Sequence, residues 1–162
     1  MIRYFTKAAF FVASTFASAA FSASCTVSAP TLNFGSYDPL SFTANDSSTN
    51  IVVTCSRTVT TGTENVSYSL SLSAGTGTFS ARTMLRGATP LIYNLYTTAL
   101  RDAASVWGDG TGGSIILSAS LRPLNASFST RTANHALYGR IAPRQDVPVG
   151  AYAASVALTI NY

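Results

Sequence analysis

Beyond position 7 the chain has no lysine; it has one histidine, at 135, two cysteines, at 25 and 55, and six acidic residues scattered singly. A lone histidine excludes a His-based metal cluster, and any Ser/His/Asp triad would have to use His135, with no Gly-x-Ser-x-Gly elbow to present a nucleophile. His135 follows a polar run, 130–134, and reads as an ordinary loop histidine. Isolated carboxylates give no spacing for a two-carboxylate glycosidase site. The glycine-rich stretch 108–113 formally matches a dinucleotide fingerprint, but the run Ile115-Ile116-Leu117 follows it where a helix would have to receive the pyrophosphate. Asp109 is its only carboxylate, too few oxygens for calcium. The sequons at Asn65 and Asn125 are incidental in a bacterial-looking chain. The expectation is therefore no enzyme, no cofactor and no metal.

Long apolar runs are also scarce. Residues 8–20 form the longest, preceded by Arg3 and Lys7 and followed by small residues, the layout of a secretory signal peptide over residues 1–23. Neither this run nor any later one has the roughly 20 residues a transmembrane helix needs, so no membrane span is expected. Small residues fit cleavage after Ala20 or Ser22, whereas cleavage after Ala23 puts Phe21 at a subsite that wants a small side chain. A lipidated Cys25 is disfavoured, because Ser22 stands where a lipobox carries leucine and Cys55 would lose its partner. In an oxidising compartment two exported cysteines favour one Cys25–Cys55 disulfide over two buried thiols. Without Arg3 and Lys7, eight dispersed arginines face six acids, net +2. That balance excludes a basic nucleic-acid-binding surface, so no nucleic acid is expected as a partner.

What is present is alternation. In Val66-Ser67-Tyr68-Ser69-Leu70-Ser71-Leu72 the apolar side chains share one face and the serines the other. Strand signals recur at 51–55, 66–73, 91–96, 115–121, 137–141 and 152–162, with short pieces near Thr26 and Asn33. Turn-forming clusters separate them at 45–50, 75–77, 109–113 and 143–150. No segment keeps a helical period. Residues 24–162 are read as one all-β domain, an antiparallel immunoglobulin-like sandwich, with no linker and no internal repeat. Its last strand, with Val156, Leu158 and Ile160 at alternate positions, runs to Tyr162 with nothing after it to pair its outer edge, so the sandwich is expected to be incomplete.

Several stretches resemble one family. Cys25-Thr26-Val27, Leu32-Asn33-Phe34-Gly35-Ser36-Tyr37-Asp38-Pro39 and Ile51-Val52-Val53-Thr54-Cys55 look like the first third of the spore coat protein U domain, the subunit domain of archaic, Csu-type chaperone-usher pili. Arg82-Thr83-Met84, Leu91-Ile92-Tyr93-Asn94-Leu95-Tyr96 and Trp107-Gly108 follow in order. Tyr138-Gly139-Arg140-Ile141-Ala142-Pro143, Gln145, Gly150-Ala151-Tyr152 and the terminal strand complete the match. One departure is Ala154, where the family usually carries Asp.

The resemblance implies a secreted structural subunit of a surface fibre, assembled by donor-strand complementation and acting in adhesion or biofilm formation. Its partners would be a periplasmic pilus chaperone, an outer-membrane usher and neighbouring pilus subunits. It would cross the periplasm and reach the cell surface. Physically this is β-augmentation: a partner's strand fills an open groove. Val27, Val156, Leu158 and Ile160 are expected to line that groove, and Tyr162 to be where a chaperone anchors the chain. Only two to four residues separate the expected cleavage sites from Cys25, so no donor segment is visible, which suggests a terminal or tip subunit. The alternative is a stand-alone secreted spore-coat or surface protein with a self-sufficient sandwich. A carbohydrate-binding or hydrolytic sandwich would instead require Trp107 and Tyr37 on an exposed platform; core packing or loop anchoring is the plainer account of Trp107.

Overall fold

The computed structural model describes residues 23–162, so the signal-peptide segment lies outside the described residues apart from Ala23. Eight strands form two antiparallel sheets: β1 (Ser24–Ser28), β2 (Asn45–Ser56), β3 (Ser67–Leu72), β4 (Arg82–Arg86), β5 (Thr89–Tyr96), β6 (Leu117–Ser120), β7 (Thr130–Ile141) and β8 (Leu158–Asn161). The larger sheet has the order β1-β2-β7-β5-β4 and the smaller β6-β3-β8. This is the expected all-β sandwich, with one short 3-10 turn, Ala103–Ser105.

The long antiparallel pair β2–β7, in register from Asn45↔Ile141 to Ser56↔Thr130, is the spine of the larger sheet. Alternation puts Ile51, Val53 and Cys55 of β2 inward, where all three are fully buried. They meet Tyr68, Leu70 and Leu72 of β3, so one core lies between the sheets. Cys25 and Cys55 face each other across β1 and β2 and form the expected disulfide.

The structure corrects several readings. Residues 45–50, read as a turn from their polar composition, are the first half of β2. Their inward polar groups are satisfied by a covering loop: Asn45 Nδ2 donates to the Ser36 carbonyl and Ser47 Oγ to that of Asn33. Strand β4 was not anticipated as a strand, because arginines at both ends interrupt its apolar pattern. The short strand near Asn33 is absent; residues 29–37 run as coil, turning at Gly35. The 152–162 strand is shorter than expected. Ala153 pairs with Leu85 of the larger sheet, while Leu158–Asn161 pairs with β3 of the smaller, and the chain leaves the ladder to change sheets.

His135 is likewise not a loop residue but sits in β7 opposite Ile51, on the inner face. The Tyr68 hydroxyl lies 2.6 Å from its Nε2, a hydrogen bond between the two sheets. Burial holds the imidazole below its ordinary pKa.

Candidate functional site

The smaller sheet is too short to cover the larger, and residues 29–37 supply part of the missing layer. Leu32 and Phe34 lie over Gly139 of β7, where a Cβ would stand only 2.6 Å from each side chain. Phe34 also meets the Tyr93 ring edge-on, with centroids 6.1 Å apart. The glycine is required here for close approach, which is a packing reason for the Tyr138-Gly139-Arg140 stretch.

Between residues 29–37 on one side and residues 147–156 with Leu158 on the other lies an open cavity of about 840 Å³. Its floor is core: Ile51, Leu72, Met84, Leu91, Tyr93 and Leu137 contribute to it. Residues 147–156 are held against the larger sheet by the Leu85–Ala153 pair, whose two backbone hydrogen bonds measure 2.8 and 3.1 Å. The loop leading into that wall is fixed by Gln145. Its side-chain amide accepts from the Ile92 N–H at 2.7 Å and donates to the Ile92 carbonyl at 2.8 Å, imitating a strand residue just beyond the end of β7. The Tyr37 hydroxyl joins the two walls, donating to the Ala142 carbonyl at 3.0 Å and accepting from the Gln145 N–H at 2.7 Å.

The four residues expected to line a groove divide into two pairs. Val156 and Leu158 line the cavity. Val27 and Ile160 are half-buried against the core but are not among its lining residues; they sit on β1 and β8, which approach each other at this side of the sandwich. β8 pairs with β3 and, among the described residues, has no strand on its other edge. Tyr162 is 58% exposed, beside Tyr68 and Ser120 in a shallow depression outside the groove. Sequence reasoning missed the wall 29–37, with Leu32, Phe34 and Tyr37 turned inward; the apolar alternation Leu32, Phe34 was the available signal.

Next to the Val156–Leu158 wall the core is sealed by polar chemistry, reached through Ser73, whose N–H donates to the Ala157 carbonyl and whose hydroxyl accepts from the Ala157 N–H. Arg82 is fully buried and, among the described residues, has no carboxylate within ion-pair distance. Its guanidinium donates to Asn94 Oδ1 at 2.7 Å, to the Trp107 carbonyl at 2.7 Å and to the Ser73 carbonyl at 3.0 Å, and lies over the Phe79 ring. Burial pushes its pKa down from the ordinary arginine value. Trp107 is fully buried, with Nε1 donating to the Leu70 carbonyl at 3.0 Å, so it is a loop anchor and cannot form a sugar platform. Asp109 accepts from the backbone and side chain of Thr111, which closes its loop locally. Among the described residues no group of three or more His, Cys, Asp or Glu could hold a metal ion, and no helix is long and apolar enough to cross a membrane.

A solved structure with the same fold is the CsuC–CsuE chaperone–tip adhesion subunit pre-assembly complex from the archaic chaperone-usher Csu pili of Acinetobacter baumannii. It matches with a TM-score of 0.57 and 21% identity, over 86% of this chain and 40% of that one. No curated protein matches the chain. The family description "Spore Coat Protein U domain" matches residues 11–159. The chain therefore belongs to the Spore Coat Protein U domain family.

Proposed function

We propose that this protein is a structural subunit of a chaperone-usher surface fibre whose groove accepts a strand from a periplasmic chaperone and then from a neighbouring subunit. An outer-membrane usher would direct the exchange. The carrying observation is the open apolar cavity beside an unpaired β8 edge, with Val156 and Leu158 in its wall. An added strand would find unpaired backbone groups along β8 and apolar floor below, the two things that β-augmentation requires. Left empty, the same combination favours aggregation. The site offers shape and apolar surface with no cluster of reactive groups, which supports a structural role over a catalytic one. Export by a signal peptide at residues 1–23, display on the cell surface and a part in adhesion or biofilm formation belong to the same reading.

The second reading, a stand-alone coat protein, draws on the approach of β1 to β8 and on the Tyr37 tie, both of which partly close the sandwich. One experiment separates the two. The full chain is exported to a periplasm with and without a Csu-type chaperone, or the purified protein is mixed with a synthetic peptide of alternating apolar residues. The fibre-subunit reading expects loss or aggregation alone, and a soluble protein with a much higher Tm once a strand is supplied. A stable monomer indifferent to both additions would overturn it in favour of the coat protein.

A further inference from the structure

The two walls of the groove are tied through a single side-chain atom. Among the described residues, the hydrogen bonds that join residues 29–37 to the segment after β7 both use the Tyr37 hydroxyl, which accepts from the Gln145 N–H and donates to the Ala142 carbonyl. From this tie the walls run away from each other's chain ends: one from Tyr37 back through Phe34 and Leu32 toward β1, the other from Val147 through Val156 into β8. Each wall is braced separately. The Gly35 N–H donates to Asn33 Oδ1 at 2.8 Å in the first, and the Tyr152 hydroxyl donates to the Pro148 carbonyl at 2.9 Å in the second. The tie therefore spans the gap between two self-supporting segments, at the end of the cavity remote from β8.

We propose that Tyr37 is a positioning residue for strand capture: its hydroxyl closes one end of the groove and so fixes how far a donated strand can extend away from β8. This rests on the strand-accepting reading above. A strand entering beside β8 and lengthening toward Val147 gains cross-strand contacts residue by residue. At Tyr37 it meets a bridge of two hydrogen bonds, and further residues find no open space. The hydroxyl thus selects strand length, and with it register, because a one-residue slip would turn the apolar face of the strand outward.

The test measures binding of synthetic peptides of alternating valine and threonine, from about six to about sixteen residues in steps of two that preserve the facing side chains. Fluorescence anisotropy is read on wild type, Tyr37→Phe and Gln145→Ala. In wild type, affinity should rise with length and then level off. Tyr37→Phe keeps the ring and loses the tie, so its plateau should move to longer peptides, with about a two- to fivefold gain for each added facing pair. Gln145→Ala keeps the backbone N–H that reaches Tyr37; it should lower Tm without moving the plateau. Peptides that bind with the same plateau in wild type and Tyr37→Phe would overturn the role of Tyr37 and leave the groove reading standing. A plateau shifted equally by Gln145→Ala would assign the limit to loop rigidity and also overturn it. No binding by any peptide to any of the three proteins would overturn both readings together.

Discussion

Two adjoining parts of this sandwich, joined through Ser73 and Ala157, are finished by opposite means. Around Arg82 the core is closed by a buried cation whose donors meet Asn94 and the carbonyls of Ser73 and Trp107; Asn94 Oδ1 also accepts from the Leu95 N–H, whereas the two carbonyls depend on the guanidinium. Around Val156 and Leu158 the core is left open, its surface apolar and its boundary strand, among the described residues, unpaired along the outer edge. A buried polar network admits one arrangement, because each unmade hydrogen bond is costly. An apolar groove with a free edge, on the strand-accepting reading, would take any strand of suitable alternation. Rigidity around Arg82 would then leave the adjoining groove to be completed by another chain.

Arg82→Leu should break the sealed side most severely. It orphans the carbonyls of Ser73 and Trp107, and a loss of about 3–5 kcal/mol in urea unfolding is expected, whether or not a donor peptide is bound. Replacing both cysteines by serine should cost about 2–4 kcal/mol, again independently of the peptide. Leu158→Asp sharpens the contrast from the other side. The free protein should lose about 1 kcal/mol or less, since Leu158 is only half-buried, while the rise in Tm produced by a bound strand should largely disappear. Equal losses with and without peptide for Leu158→Asp would erase the distinction between the sealed network and the open groove.

A smaller effect depends on pH and concerns the contact joining the sheets. Burial lowers the His135 pKa from its ordinary 6.5, so the folded state binds the proton more weakly than the unfolded one. The resulting stability is fully present above about pH 6.5 and is lost as pH falls through the folded-state value. Asp46 acts lower. Its hydrogen bond to Arg140, a bidentate contact at 2.7 and 2.8 Å, holds its pKa below the ordinary 3.8, and its contribution is lost only under more acidic conditions. The urea midpoint of wild type should fall between about pH 7.5 and about pH 5, and His135→Gln should flatten that dependence.

The architecture was legible wherever side chains alternate cleanly. Val66 to Leu72 and Ile51 to Cys55 have one buried and one solvated face, and the period alone identifies such strands. Legibility failed where a polar run lies in a ladder. Asn45 and Ser47 resemble turn residues because the loop that satisfies them, residues 29–37, is distant in sequence. The burial of Arg82 was not legible for the same reason: its partners come from Ser73, Asn94 and Trp107, and no local pattern announces them. In the groove, Val156 and Leu158 were readable from the terminal alternation. The opposite wall depends on Gly139, whose missing side chain creates the space for Leu32 and Phe34.

The position of the disulfide has a consequence in time. Cys25 and Cys55 are direct partners on adjacent strands of one sheet, so their bond needs neither β8 nor any occupant of the groove. On the strand-accepting reading, the covalent step can finish before the groove is filled. If the chain is exported as proposed, thiol accessibility followed from that moment would clock the arrival of β1 beside β2, and the interval between that event and protection of the β8 amides would measure how long the sandwich stays unfinished.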